Sequence, residues 1–400
     1  MSRSLTRLLI GFGALVVVLA ASAPALGQFG GFGQDQGGRL SRTQLEQFGS
    51  MLELDQTQRE IAQMMLEEYL DGVQTTLDIA REASREARQE FEETRDRSVF
   101  AGLREVNEAA RDRVEELESQ FMGDLRMMLT PEQDEAWPRV ERAHRRAKSL
   151  PRGLMSGERV DLFEIVRDLE LEGEHATEAQ AVLEEYELAL DRVLATRDEA
   201  YAKGMELFRQ RDFEALQEHF EDARDSGMRV RDVHRSYARR LEAVVPEAKL
   251  ETMRSAIRRA SFPSVYREDR SSRALTFVNG VEGLSDEQRS QVEAIELSNE
   301  RRLGEVNRKI ADAIERNEAN MSIRDLMRGG QRATEDGTRE LFREKREVID
   351  RTIEQLRALL TEDQAASMDE ALGAGDAAED GENRRGRRGG RQRQAAPGRS

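Results

Sequence analysis

The chain has 400 residues, no cysteine, 35% charged residues, only 5% aromatic residues and a formal net charge of −17. Disulfides, thiolate chemistry and cysteine–metal centres are thereby excluded, and the acidic balance argues against nucleic acid as the main partner. So few aromatics among so many charges do not build a thick globular core; they suit long helices, each with one apolar stripe.

Read from the start, Arg3 and Arg7 precede an almost wholly apolar run from Leu8 to Ala21, and small residues continue through Gly27. A basic start, an apolar centre and an A-x-A-like end predict a secretory signal peptide over 1–27, cleaved after Ala25 or Gly27. The alternative is an uncleaved anchor, since Leu8 to Leu26 just spans a bilayer. After cleavage no membrane span is expected, and the localisation expected is periplasmic or otherwise extracytoplasmic. Residues 28–40 read as a Gly/Gln-rich linker.

Beyond the linker the chain repeats itself. Leu52 to Tyr69 and Leu169 to Tyr186 align without a gap and agree at nine of 18 positions. A third copy opens at Leu284, and Leu45, Leu162 and Leu275 precede the copies at matched spacing. Closing motifs begin at Leu129, Val244 and Leu360, so the separations from Leu54, Leu171 and Leu284 are 75, 73 and 76 residues. Three units are therefore expected, at 41–150, 151–268 and 269–372. In the first, Leu66, Leu70, Val73, Leu77 and Ala80 recur at helical spacing, as do Val114, Leu117, Phe121, Leu125 and Met128 on a return leg. Thr94 to Ser98 breaks the stripe between them, which predicts an antiparallel hairpin. The fold class expected is all-α: three tandem long antiparallel helical hairpins. Residues 373–400 turn acidic and then Arg/Gly-rich, with almost nothing apolar, and read as a disordered tail.

Openers and closers share one form, a leucine followed by a capping residue and, three positions on, a glutamine. Thr130-Pro131-Glu132-Gln133 after Leu129 reads as a capping box with proline at the first helical position. Ser285 with Gln288 after Leu284, Thr361 with Gln364 after Leu360, and Asp55 with Gln58 after Leu54 obey the same rule. The middle unit departs from it: its opener is Leu171 to His175, or Ala176 to Gln180 if the frame slips, and its closer, Val244 to Ala248, lacks both threonine and glutamine.

Paired LTxxQ-like motifs one hairpin apart, in a cysteine-free chain behind an export signal, resemble the Spy/CpxP-like family of periplasmic proteins. The resemblance covers roughly residues 45 to 372 as tandem units, where family members are usually a single unit. It implies a helical, cradle-like chaperone or envelope-stress protein that binds unfolded chains without ATP; related members sense metal.

The expected partners are unfolded or partly folded envelope proteins, with self-association through the helical stripes and contact of the Arg-rich tail with an anionic surface as further candidates. Met64, Met65, Met122, Met127 and Met128 are candidate client-binding residues, because methionine makes an adaptable apolar surface; core packing is the competing reading. His144, His175, His219 and His234 are not spaced as ligands on one helix face, so no metal site is expected. Neither a cofactor nor a catalytic residue is expected, since no phosphate-binding loop, nucleophile elbow or zinc-protease motif occurs. Two alternatives stand beside the chaperone-like reading: a structural or scaffolding helical-repeat protein of the envelope, and a metal or stress sensor module.

Overall fold

A computed structural model describes residues 39–322 and 331–373. The expected signal peptide, nearly all of the linker and the tail beyond Gly373 lie outside the described residues. The described chain is all-α, with no strand among the described residues. No described helix is long and apolar enough to cross a membrane.

Three pairs of long helices carry the architecture. The first is α2 (Gln56–Thr94) with α3 (Ala101–Met127), preceded by α1 (Arg42–Met51) and followed by the short turn α4 (Pro131–Asp134) and α5 (Trp137–Ser149). Next come α6 (Leu162–Asp168), the pair α7 (Gly173–Gln210) and α8 (Phe213–Glu242), then α9 (Glu247–Ser261) and the single turn α10 (Pro263–Tyr266). Last are α11 (Arg270–Asn279), the pair α12 (Asp286–Ala319) and α13 (Gln331–Leu359), and a helical stretch over 362–373. At ~1.5 Å per residue, the 39-residue α2 is roughly 58 Å long.

Each pair runs antiparallel, as cross-helix bonds show. Tyr186 meets His234, and further along α7 the carbonyl of Ala200 meets His219, so one index rises as the other falls. On α2 the buried residues Ala62, Leu66, Tyr69, Val73, Leu77 and Ala80 keep to steps of three and four, the stripe of a helix packed on one side. A flanking short helix packs on each hairpin where its two motifs meet. Phe48 of α1 and Trp137 of α5 join the core of the first pair, and Ala274, Leu275 and Val278 of α11 join that of the third.

The turn from the short helix into each long helix repeats in detail. Glu53, Glu170 and Gly283 each precede the opener leucine, and all three have left-handed backbone, at φ 50°, 47° and 83°. Only the third position is glycine, which takes this conformation without a Cβ penalty. Adjacent hairpins also share structure. The far half of the third packs Val306 and Ile310 on Phe262 and Val265, which come directly after α9.

Candidate functional site

The motif residues build clasps rather than an open site. Asp55, Thr130 and Ser285 each accept from the backbone N–H three residues on, while Gln58, Gln133 and Gln288 reach back to the cap N–H. Thr361 and Gln364 make the same reciprocal bonds, at 3.0 and 3.4 Å. Leu54 and Leu284 are buried beside these caps, and Leu129 and Leu360 pack partly buried against the same cores. Pro131 occupies the first helical position of α4, where its missing N–H leaves no bond unmade.

In the first unit the two boxes are also joined to each other. Gln58 Nε2 donates to Gln133 Oε1 at 2.8 Å, and Gln133 Nε2 donates to Gln58 Oε1 at 2.9 Å. Gln58 further donates to the Met128 carbonyl at 3.2 Å. The third unit keeps the equivalent strut, Gln288 Nε2 to the Leu359 carbonyl at 2.6 Å. In the middle unit His175 stands where the alignment places Gln58, and its Nδ1 lies 2.8 Å from the Val244 carbonyl. A single glutamine-to-histidine difference thus keeps the strut where the capping form is lost; neither α7 nor α9 has a side-chain cap.

The five methionines divide by exposure. Met65, Met122 and Met128 pack partly buried against the core of the first unit. Met64 and Met127 face solvent, 62% and 79% exposed. The structure therefore does not gather them into one client-binding surface, because Met65 of α2, Met122 of α3 and Met128, which caps α3, pack toward the hairpin core.

A second cluster was not legible from motifs. Residues 150–161, linking α5 to α6, place Glu158 at the centre of a buried junction. Its carboxylate accepts from the N–H groups of Leu154 and Met155 at 3.1 and 2.6 Å, from Arg197 at 3.0 Å and from the Tyr201 hydroxyl at 3.2 Å. Glu158 and Arg197 are both 0% exposed. Burial opposes the charge on Arg197, but Glu158 and Asp198 beside it hold the guanidinium above its ordinary value. Burial, with Glu158 adjacent, pushes the Tyr201 phenol well up. Two glycines make room for the carboxylate: a Cβ at Gly153 would lie 2.6 Å from Glu158 Cβ, and one at Gly227 would lie 2.6 Å from its Oε1. Glu158 also offers its carbonyl to His234 Nε2 at 3.1 Å. Nε2 therefore carries the imidazole proton, and Nδ1 accepts from the Tyr186 hydroxyl at 2.9 Å. Burial lowers the His234 pKa to about 4.

Charge ties the units together on either side of this junction. From α5, Arg142 and Arg145 pair with Glu187 and Asp191 of α7 at 3.1 and 2.9 Å, and Ser149 bonds Asp198. Both indices rise together, so α5 lies parallel to α7 across the first and middle units. From the third unit, Glu318 in the last turn of α12 accepts from Ser156 N and Oγ at 2.9 and 2.6 Å and from Arg231 at 3.3 Å. A buried carboxylate without partners would be costly; here each oxygen is used. With no exposed surface on Glu158 or Arg197, the junction is built to hold elements rather than to admit a ligand.

The remaining histidines also make internal contacts: His144 with Glu118 at 3.0 Å and His219 with the Ala200 carbonyl at 2.7 Å. Burial alone would raise Glu118, but hydrogen bonds from His144 and Lys148 hold its carboxyl below the ordinary range. Among the described residues no group of three or more potential ligands is placed to hold a metal ion.

Comparison with protein-family models matches no family, and comparisons with curated proteins and with solved structures find no similar chain. The likeness to the LTxxQ proteins accordingly rests on the motif residues and their spacing.

Proposed function

We propose that this chain is an exported, ATP-independent, chaperone-like or envelope-stress binding protein that shields apolar segments of unfolded clients on its helical hairpins. The observation that carries the reading is the set of large apolar side chains left in water on the long helices: Ile61, Met64 and Ile79 on α2, Met127 on α3, Leu188 on α7, Phe213 on α8 and Leu297 on α12. They sit on rigid, clasped hairpins and are flanked by charge, an arrangement that keeps the protein soluble while offering many weak apolar contacts. Residues 28–400 at a few-fold molar excess are expected to delay the light scattering of a heat-unfolded client. An unchanged aggregation curve would remove the reading.

A second reading, a structural or scaffolding protein of the envelope, is favoured by one observation. Gln58, Gln133 and Gln288 spend their side-chain amides on clasps, which is what a motif kept for rigidity requires. That reading expects stable oligomers in sedimentation experiments and no effect on client aggregation.

A further inference from the structure

We infer that the outward side of α2 is a docking surface for basic, apolar polypeptide segments; this rests on the chaperone-like reading and names its client class and its first contact site. On a helix with about 100° between residues, Ile61, Met64, Glu68, Asp71 and Ile79 fall on the side away from the buried stripe through Ala62, Leu66 and Val73. All five are exposed, and Ile61, Met64 and Ile79 are 39%, 62% and 63% exposed. No other described helix exposes three large aliphatic or methionine side chains in this way.

Charge then selects the partner. From Glu60 to Ala80, α2 contains five carboxylates and neither lysine nor arginine. Arginines beyond the stretch reach two of the five, Arg42 pairing with Glu67 and Arg81 with Asp78, and the balance stays negative. The corresponding stretches of α7 and α12 differ: α7 carries the exposed Arg192, and α12 has Arg301, Arg302, Arg308 and Lys309. The face of α2 is therefore apolar anchors set in an excess of negative charge. An apolar segment rich in acid is repelled from it, whereas one carrying lysine or arginine gains both the apolar contact and the charge complement. Met64 to Ile79 spans roughly 22 Å at ~1.5 Å per residue, the reach of a helical segment of about four turns laid along the face.

The test uses the mature full chain and two labelled peptides of about 20 residues in amphipathic order, one of leucine and lysine and one of leucine and glutamate. Fluorescence anisotropy is expected to show the lysine peptide binding at least about tenfold more tightly than its glutamate twin, with the preference falling as salt rises. The variant Ile61→Ser/Met64→Ser/Ile79→Ser is expected to weaken the lysine peptide by about fivefold or more, and Glu68→Lys/Asp71→Lys to erase the preference, with helical circular dichroism unchanged because every altered side chain faces solvent. Equal binding of both peptides, or unaltered binding by the triple variant, overturns the inference. So does conversion of a dimer to monomer by that variant with no loss of peptide, which would make the face a contact between copies. If the wild-type chain delays client aggregation and the triple variant does so equally well, only this site fails. If the wild type neither delays aggregation nor binds either peptide, the parent reading falls with it.

Discussion

His234 is held neutral by its surroundings. It lies in the middle of α8, buried, donating to one carbonyl and accepting from one hydroxyl, and a second ring proton would have nowhere to go. Burial brings its pKa from 6.5 to about 4, so in the window between those values the unfolded chain binds more protons than the folded one. Its contribution is fully present above pH 6.5 and is lost as pH falls toward 4. By pH 4.5 the loss is about 2–3 kcal/mol. Glu318 works in the opposite direction: burial raises its carboxyl pKa, so its contribution is fully present below the ordinary glutamate range and declines as pH rises through the raised value. Urea unfolding at about pH 7.5 and 4.5 should therefore show a smaller acid penalty in His234→Gln than in the wild type, by about 2 kcal/mol. Equal penalties in the two proteins would mean that His234 does not stay neutral in the fold.

At the scale of the element, the clasp joins two helix starts that lie 75 residues apart in sequence. Removing either glutamine leaves one cap N–H without its partner and takes both amide–amide bonds from the other glutamine. Gln58→Ala and Gln133→Ala are each expected to cost about 1–2 kcal/mol, and the double variant less than the sum, because the second change removes a bond already broken. Strict additivity in a double-mutant cycle would show that the amide pair contributes nothing beyond its two caps. In the middle unit, His175→Gln should keep the strut to Val244 while His175→Ala loses it. The caps themselves were legible: Thr130 to Gln133 and Ser285 to Gln288 announce a helix start by local chemistry alone. So were the hairpins, since the stripe through Leu66, Val73 and Leu77 is set by the helical repeat. What linear sequence does not display is pairing across the fold. The Gln58–Gln133 bond, His175 in the place of a glutamine, and the division of the methionines all depend on which side of a helix faces a neighbour. Glu158 was hidden for a further reason. In a chain with this much charge, one more glutamate looks like a solvated one, and only Gly153 and Gly227 record the space it occupies.

At the scale of the molecule, the hairpins are coupled through polar contacts at several places. The first and middle units meet where α5 lies along α7, and the third reaches the middle chiefly through the buried Glu318, with Glu315 paired to Arg235 and Lys345 donating to the Val265 carbonyl. Apolar packing of Val306 and Ile310 on Val265 adds to that second connection but does not satisfy the charge on Arg231. Substituting Glu318 by alanine strips Ser156 of its acceptor and leaves Arg231 buried without its carboxylate. Breaking a buried pair on one side costs about 3–5 kcal/mol. Because the third hairpin keeps its own core through Val292, Ile353 and Leu356, that cost should fall on the docking of the unit more than on its helices. Calorimetry of Glu318→Ala is thus expected to split one unfolding transition into two, and small-angle scattering at neutral pH to report a larger radius of gyration with helical content unchanged. Replacing both partners, Glu318→Leu with Arg231→Met, removes the unpaired charge as well as the bond and should restore much of the single transition. A single variant that unfolds in one step at an unchanged radius would place the coupling in the remaining contacts, the apolar packing at Val265 with Lys345 on its carbonyl and the Arg235–Glu315 pair.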